Sequence, residues 1–184
     1  MSELLKLNRR AFLVRSALAG GGLLVGFHLP AMRKLAAEPL ATPAGEQPVE
    51  VNAWIEIQPD DSVLIRVARS EMGQGVFTAL PMLVAEELGC DWDRVRAEYA
   101  AANANLQRDN VYGSMSTGGS RSVRGSQEYL RTAGAVAREL LVGAAARRWS
   151  VPEEECTAAN SLITHTPSGR TLGFGAVAAE AAGM

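Results

Sequence analysis

The sequence predicts an α+β fold in which a small sheet packs against helices. Two segments, 49–57 and 62–67, alternate between apolar and polar side chains well enough to pair as strands. Apolar side chains recur at helical spacing over residues 78–88 and 123–149, and a glycine-rich loop precedes each of these segments. With 184 residues, of which 47% are hydrophobic and 21% charged, the chain can bury the core of one ordinary domain.

Residues 1–37 have the composition of an export signal. Two arginines, Arg9 and Arg10, precede an apolar, glycine-rich run at residues 17–29. That run falls short of the about 20 apolar residues that a membrane span needs. The arrangement resembles a twin-arginine signal, the export route of proteins that fold before they cross the membrane, and it predicts a periplasmic protein. The alternatives are a basic amphipathic leader on a cytosolic protein and retention of the segment as a membrane anchor.

Residues 38–48 are predicted to be a linker because prolines and polar side chains dominate them. The folded part is therefore expected over residues 49–184. The formal net charge is -2, but 12 of the 18 basic and 19 of the 20 acidic residues follow residue 37. That acidic balance disfavours a nucleic-acid partner. Cys90 and Cys156 belong to no C-x-x-C or Cys/His cluster, which predicts small buried residues, with one disulfide as the alternative.

The elements of the folded part follow from local sequence. Residues 49–57 are expected to form one strand and 62–67 its hairpin partner. After the first helix, the expected elements are a helix-to-strand turn at 92–94, a third strand at 95–100, an irregular segment at 103–110, the long helix at 123–149 and a last helix at 174–182. Ser120 or Ser122 is expected to cap the long helix. His165 is expected to be a strand-edge residue rather than a ligand or a base.

The loop at residues 70–78 joins a strand to a helix through Gly73, Gln74 and Gly75. Glycine permits a positive φ and lets a ligand approach the backbone closely. The N–H groups in the first turn of a helix, at the positive end of its dipole, favour an anion. The pattern therefore predicts a site for a phosphate-like group with the Gln74 amide beside it. A tight connection that holds no ligand is the alternative.

A second loop, at residues 112–122, combines glycines and hydroxyls ahead of the long helix. Its central residues are Thr117, Gly118, Gly119 and Ser120. Hydroxyls, backbone N–H groups and Arg121 at a helix N-terminus predict a second anion site. A flexible loop with a good helix cap is the alternative.

Both loops and their flanks resemble one known family. Residues 70–88 are similar to the molybdopterin-binding subunit of the xanthine dehydrogenase and aldehyde oxidase family. The isoquinoline 1-oxidoreductase beta-subunit branch, which also carries a twin-arginine leader, is the nearer match. Residues 117–134 resemble the second loop of that branch, and the resemblance runs from the leader to the end of the chain.

This resemblance implies that residues 49–184 are part of a molybdenum-cofactor-binding domain. The implied cofactor is a molybdopterin dinucleotide with molybdenum, commonly the cytosine dinucleotide in bacterial members. Such enzymes hydroxylate an N-heterocycle or oxidise an aldehyde with oxygen from water, and their partners are an iron–sulfur small subunit and often a cytochrome c subunit. By motif position, the implied cofactor contacts are Gly73, Gln74, Gly75, Thr117, Gly118, Gly119 and Ser120. Arg121 departs from the small residue expected at its position.

Large subunits of this family are several times longer than 184 residues. Their general-base glutamate, in a glycine-rich motif near the C-terminus, has no counterpart here, so the resemblance assigns no catalytic or metal-ligating residue. The expectation is an amino-terminal piece, arising from a truncated gene, a split gene or a fragment, that is inactive alone. The rival hypothesis is an exported, non-catalytic module that binds a nucleotide or a phosphorylated ligand through the same two loops.

Replacing Arg9 and Arg10 together with lysine should keep a reporter fused to residues 1–48 in the cytoplasm. The reason is that the export receptor reads paired guanidinium groups, whose planar fork lysine does not reproduce. The measurement is reporter activity in periplasmic and cytoplasmic fractions, with Arg15→Lys as the control outside the pair. Undiminished periplasmic activity in the double variant would contradict the twin-arginine assignment.

Overall fold

The computed structural model describes residues 47–184, so the predicted signal and nearly all of the predicted linker lie outside the described residues. Seven strands form two sheets in this part of the chain: β1 (Val49–Asn52), β2 (Ile55–Ile57), β3 (Val63–Val67), β4 (Val95–Tyr99), β5 (Cys156–Ala159), β6 (Leu162–His165) and β7 (Arg170–Gly173). The α-helices of residues 47–184 are α1 (Val76–Leu88), α2 (Ala102–Gln107), α3 (Gln127–Trp149) and α4 (Phe174–Ala182). None of them is long and apolar enough to span a bilayer. The α+β class is confirmed.

The first sheet has the order β1-β2-β3-β4. Its first three strands are antiparallel neighbours, and β4 pairs parallel with β3 after α1 has crossed one face of the sheet. A parallel pair needs such a crossover because a short turn cannot return the chain in the same direction. Ile55, Ile57 and Ile65 point to the buried face, so the predicted alternation places the core on the helix side.

The expected single strand over residues 49–57 is wrong, because a turn at Ala53 and Trp54 divides it into β1 and β2. The Asn52 side chain makes this turn: its Oδ1 accepts a hydrogen bond from the Trp54 N–H at 3.0 Å. Its Nδ2 donates to the carbonyl oxygen of Ala133 on α3 at 3.1 Å. Asparagine side chains that bond to the backbone two residues on favour turns over strands, and here the same side chain also ties the turn to a helix.

One cluster of apolar side chains joins the first sheet to α1, α3 and α4. Its largest fully buried members from the helices are Leu80, Leu88, Leu130, Leu141 and Phe174. The second sheet, with the antiparallel order β5-β6-β7, adds Ile163 to this cluster and contacts α3. His165 ends the central strand of that sheet rather than lying on an edge strand. It is buried, with Nε2 2.8 Å from Glu155 Oε2 and Nδ1 2.6 Å from Ser168 Oγ.

Two of the expected helix boundaries are wrong. The segment expected to be irregular at 103–110 contains α2, and the long helix begins at Gln127, later than expected. Neither Ser120 nor Ser122 caps it, because the N-cap residue is Ser126, whose own side chain makes no capping bond. The buried Ser126 hydroxyl instead accepts hydrogen bonds from Arg69 Nε at 3.3 Å and from the Tyr129 hydroxyl at 2.7 Å. The expected elements at 92–94, 95–100 and 174–182 are confirmed, within one residue at their ends.

Gly134→Ala should lower the free energy of unfolding. Alanine normally favours a helix over glycine by about 1 kcal/mol. However, a Cβ at Gly134 of α3 would lie 2.6 Å from the Val84 carbonyl oxygen of α1, and overpacking of this kind costs about 1–3 kcal/mol. The measurement is urea unfolding followed by circular dichroism.

The matched control is Gly143→Ala in the same helix. A Cβ there would meet the Met184 Cε at 3.0 Å and the Glu153 Oε1 at 3.1 Å, which are the ends of flexible side chains. Because those ends can move aside, the helix preference of alanine should dominate and stability should hold or rise. Equal effects of the two substitutions would contradict the close backbone contact between α1 and α3.

Candidate functional site

The candidate site lies where the parallel strands β3 and β4 end. The Ala100 N–H donates to the Val67 carbonyl oxygen at 2.9 Å, so the two strands finish side by side. Ligand sites in α/β arrangements favour this carboxyl edge, because the loops that follow parallel strands meet there. The 70–78 loop leaves β3 at this edge. The Glu71 N–H reaches across to the Tyr99 hydroxyl at the end of β4, at 3.2 Å.

The backbone N–H groups of the first loop converge on a side chain of the loop itself. Glu71 Oε1 accepts hydrogen bonds from the N–H groups of Gly73 at 2.7 Å and Gly75 at 3.0 Å. Glu71 Oε2 accepts from the Phe77 N–H at 2.9 Å, in the first turn of α1. These N–H donors, that of Phe77 foremost, lower the pKa of Glu71 below its ordinary value. The position expected for a phosphate-like anion is therefore held by the chain's own carboxylate.

Sequence reasoning did not single out Glu71, although a usable signal was present. An acidic residue placed shortly before a helix is stabilised by the exposed N–H groups and dipole of the first turn. Glu71 stands five residues before the start of α1 at Val76. The glycines between them allow the chain to fold back, since Gly73 has φ 94° and Gly75 has φ 77°. The same glycines that suggested a ligand therefore let an internal carboxylate reach the helix.

The Gln74 amide closes the same loop. Its Oε1 accepts a hydrogen bond from the Met72 N–H at 2.6 Å, and its Nε2 donates to the Ser70 carbonyl oxygen at 2.8 Å. A primary amide has two donor hydrogens and two acceptor lone pairs, so one of each remains for a ligand. A Cβ added to Gly73 or Gly75 would meet no atom within 4 Å, which leaves open space around the exposed turn.

The structure brings the two predicted loops together. The Ser70 N–H donates to Thr117 Oγ1 at 2.8 Å, across 47 positions of sequence. Arg69 reinforces this junction, because its Nη1 donates to the Ser116 carbonyl oxygen and its Nε to Ser126 Oγ. These hydrogen bonds come from Arg69 and Ser70, two and three residues after the end of β3, so the sheet positions the second loop as well as the first.

The amino end of the second loop is anchored by an aromatic and amide cluster. The ring of Trp54 lies 4.9 Å from the ring of Tyr112 and 4.9 Å from that of Tyr129 on α3, measured between centroids. The buried Asn105 accepts from the Tyr112 N–H at 2.8 Å and donates to the Gly113 carbonyl oxygen at 3.2 Å. This cluster holds the start of the loop while Thr117 holds its middle. Sequence reasoning missed Asn105 because nothing in its polar neighbourhood marked it as buried.

The N–H groups of Gly118, Gly119 and Ser120 have no hydrogen-bond partner within residues 47–184. All three residues are exposed, and Gly119 and Ser120 have φ 60° and 53°. Since α3 begins only at Gln127, these donors belong to an open turn, and the expected helix N-terminus beside them is wrong. A Cβ on Gly118 would meet nothing within 4 Å. The second loop therefore offers an outside ligand the free donors that the first loop has given to Glu71.

Residues 47–184 contain neither a metal-ligating cluster nor a reactive cysteine. Among residues 47–184, no three His, Cys, Asp or Glu side chains come close enough to hold a metal ion. Cys90 and Cys156 are free thiols; the expected burial is confirmed for Cys156, whereas Cys90 is only partly buried. Burial raises the pKa of the Cys90 thiol to about 12, so it stays protonated at neutral pH.

The family model of the molybdopterin cofactor-binding domain matches residues 19–184. The chain belongs to this family. The isoquinoline 1-oxidoreductase subunit beta of Brevundimonas diminuta is 38% identical over 179 residues, which is 97% of this chain and 22% of that relative. The membrane-bound aldehyde dehydrogenase of Gluconacetobacter polyoxogenes, named with pyrroloquinoline quinone, is 33% identical over 178 residues, with the same two coverages of 97% and 22%. The chain thus spans about a fifth of the length of these relatives.

Solved structures support the same fold. The reconstituted CO dehydrogenase from Oligotropha carboxidovorans aligns over 67% of this chain and 15% of its own, with a TM-score of 0.52 and 22% identity. A Cu,Mo-CO dehydrogenase in its carbon monoxide reduced state aligns with a TM-score of 0.51 at 22% identity, over the same shares of 67% and 15%. Together with the family match, these likenesses confirm the resemblance to the molybdenum-binding subunit of the xanthine dehydrogenase and aldehyde oxidase family.

The loops of this molybdopterin cofactor-binding domain fit a large polar cofactor. Open space surrounds Gly73, Gly75 and Gly118, where side chains would otherwise project. The free N–H groups at residues 118–120 suit phosphate oxygens, and the spare donor and acceptor of Gln74 suit a polar ring. The assignment of individual contacts stays a prediction for all seven residues: Gly73, Gln74, Gly75, Thr117, Gly118, Gly119 and Ser120.

Thr117→Val should release the second loop from the first, because valine removes the hydroxyl that accepts from the Ser70 N–H while keeping the branched shape. A net hydrogen bond is worth about 0.5–1.5 kcal/mol, so exchange of the Ser70 amide should accelerate by about two- to tenfold. The measurement is amide hydrogen exchange by NMR. Thr117→Ser keeps the hydroxyl and is the matched control. Unchanged exchange at Ser70 in the valine variant would show that other contacts hold the loops together.

Proposed function

We propose that this domain builds part of the molybdenum-cofactor site of an oxidoreductase that hydroxylates N-heterocycles or oxidises aldehydes with oxygen from water. The observation that carries the proposal is the Ser70 to Thr117 hydrogen bond, which joins two open, glycine-rich loops into one surface. The printed names of the two relatives support the reaction classes, since one is an isoquinoline 1-oxidoreductase subunit and the other an aldehyde dehydrogenase.

Each loop has a different task in this proposal. The N–H groups of Gly118, Gly119 and Ser120 bind phosphate oxygens of the molybdopterin dinucleotide, for which the cytosine form is proposed. Gly73 and Gly75 provide close approach, and Gln74 offers its spare amide donor and acceptor. When bound, the cofactor supplies two-electron redox chemistry at molybdenum.

No residue of the described part is given an acid or base role. Glu71 is the carboxylate in the first loop, and its two oxygens accept three backbone N–H bonds. Hydrogen bonds to the charged form keep a carboxylate ionised and make it a weak base. The task of residues 47–184 is therefore to bind and orient the cofactor, and substrate chemistry is assigned to other parts of the assembly.

The proposed assembly contains an iron–sulfur small subunit that receives the electrons and a cytochrome c subunit that passes them on. The twin-arginine pattern at Arg9 and Arg10 supports export to the periplasm, and the proposal includes association with the membrane. That route suits a domain that must bind its cofactor before crossing the membrane. The acidic balance after residue 37 supports the absence of a nucleic-acid partner.

Gly118→Val should lower bound molybdenum and nucleotide together in the holoenzyme purified from its native host. Gly118 does not have a positive φ and has open space around it, so valine strains the protein little and mainly fills the place of a ligand. Gly75→Val should have the same effect, with added backbone strain of about 1–3 kcal/mol. The measurements are metal content by mass spectrometry and nucleotide released by acid.

Gly169→Val is the matched control for backbone strain. Gly169 has φ 69° and open surroundings, as Gly75 does, but it lies in the turn between β6 and β7. Gly169→Val should lower stability about as much as Gly75→Val does and leave the bound molybdenum and nucleotide unchanged. His165→Ala should also leave both unchanged. A full complement of both in the Gly118→Val and Gly75→Val proteins would show that the loops are structural only and contradict the proposed function.

A further inference from the structure

We propose that Glu71 is the positioning residue of the 70–78 loop, and that its carboxylate keeps phosphate away from the N-terminus of α1 and leaves the phosphates of the cofactor to residues 117–120. The first half concerns the protein alone. The second half rests on the proposed function, because it concerns how the two loops divide one cofactor.

The geometry of the first loop carries the positioning role. Glu71 connects the N–H groups of Gly73, Gly75 and Phe77 through both of its oxygens, at 2.7–3.0 Å. The Met72 N–H is taken by Gln74, and the Glu71 N–H by Tyr99. Most N–H groups that could face a ligand in this loop are thus used internally. The carboxylate thus ties the glycine turn to the first turn of α1.

The negative charge of Glu71 is what excludes phosphate from the first loop. A helix N-terminus attracts one anion because its N–H groups and dipole present partial positive charge. At α1 that anion is built in, so a phosphate would lie beside a carboxylate and would have to displace it. Residues 118–120 have no such internal anion, and Arg121 follows them directly. The two loops therefore favour ligand groups of different charge: the first accepts neutral polar groups and the second accepts anions.

Glu71 also positions the Gln74 side chain indirectly. Its Nε2 donates to Ser70 and its Oε1 accepts from Met72, so its orientation depends on the path of the backbone from 70 to 74. Glu71 fixes that path from the other side by holding Gly73 and Gly75. Loss of the Glu71 carboxylate should therefore loosen the Gln74 amide, although Glu71 makes no hydrogen bond to it.

The first experiment is amide hydrogen exchange by NMR on the full chain. In Glu71→Gln the amides of Gly73, Gly75 and Phe77 should exchange about tenfold faster, because hydrogen bonds to a charged acceptor are replaced by weaker and fewer ones. Glu86→Gln is the matched control, since Glu86 is exposed on α1 and its side chain has no hydrogen bond or ion pair within residues 47–184. Unchanged exchange in Glu71→Gln would overturn the positioning role.

The pH profile separates a charge effect from a loss of packing. The pKa of Glu71 is lowered, so protection of these amides should be complete above the ordinary glutamate pKa of about 4.3 and fade only as the pH falls through the lowered value. The Glu71→Gln protein should lack this dependence, and Glu71→Asp, which keeps the charge, should restore it in part. A profile that Glu71→Gln leaves unchanged would overturn the positioning role.

The second experiment adds inorganic pyrophosphate to the full chain at constant ionic strength. Amide signals of residues 118–120 should shift in the wild type while those of Gly73, Gly75 and Phe77 should not, and the latter should begin to shift in Glu71→Gln. Shifts at Gly73 and Gly75 in the wild type would overturn the exclusion. Shifts at neither loop in either protein would overturn both the exclusion and the phosphate role of residues 118–120, whereas the exchange result would still decide the positioning role.

Discussion

The approach of α1 to α3 is the constraint on which the site depends. Gly134 lets the backbone of α3 come so close to Val84 that a single Cβ would collide with its carbonyl oxygen. With α3 held there, Ser126 and Tyr129 at its start lie against Arg69, which follows β3, and Trp54, in the turn between β1 and β2. Those contacts direct the chain before α3, and hence the second loop, toward the end of β3. The meeting of the two loops thus follows from helix packing.

Carboxylates of this chain complete two of its helix N-termini. Glu71 accepts hydrogen bonds from the Phe77 N–H in the first turn of α1 and from the Gly73 and Gly75 N–H groups just before it. At the start of α4, Asp61 Oδ1 accepts from the Gly175 N–H at 2.8 Å, from a turn 114 positions earlier in the sequence. An uncapped helix leaves N–H groups unsatisfied, and an acidic side chain there also complements the dipole. The two contacts differ in where they lie. The Asp61 contact ties a β-turn to the core, whereas the Glu71 contact shapes an exposed loop at the candidate site.

Several features of residues 47–184 are suited to binding and orienting a cofactor: the free donors at residues 118–120, the open glycines and the oriented Gln74 amide. The internal anion makes the two loops chemically unequal, although both carry glycine and both precede helices. In the proposed site, that inequality would favour one orientation of an elongated cofactor with a charged end and a neutral end.

The sequence by itself determined the α+β class, the positions of α1 and α4, the two glycine-rich loops and the family, because periodic apolar side chains and glycine motifs act locally. It did not determine the turn at Asn52, the start of α3 or the partner of the first-loop N–H groups. Each of these depends on a side chain that bonds to a distant or folded-back part of the chain: Asn52 to Ala133, Ser126 to Arg69, Glu71 to Phe77. Only the tertiary structure decides such bonds, because a polar side chain chooses among many backbone partners and packing brings just one of them within reach.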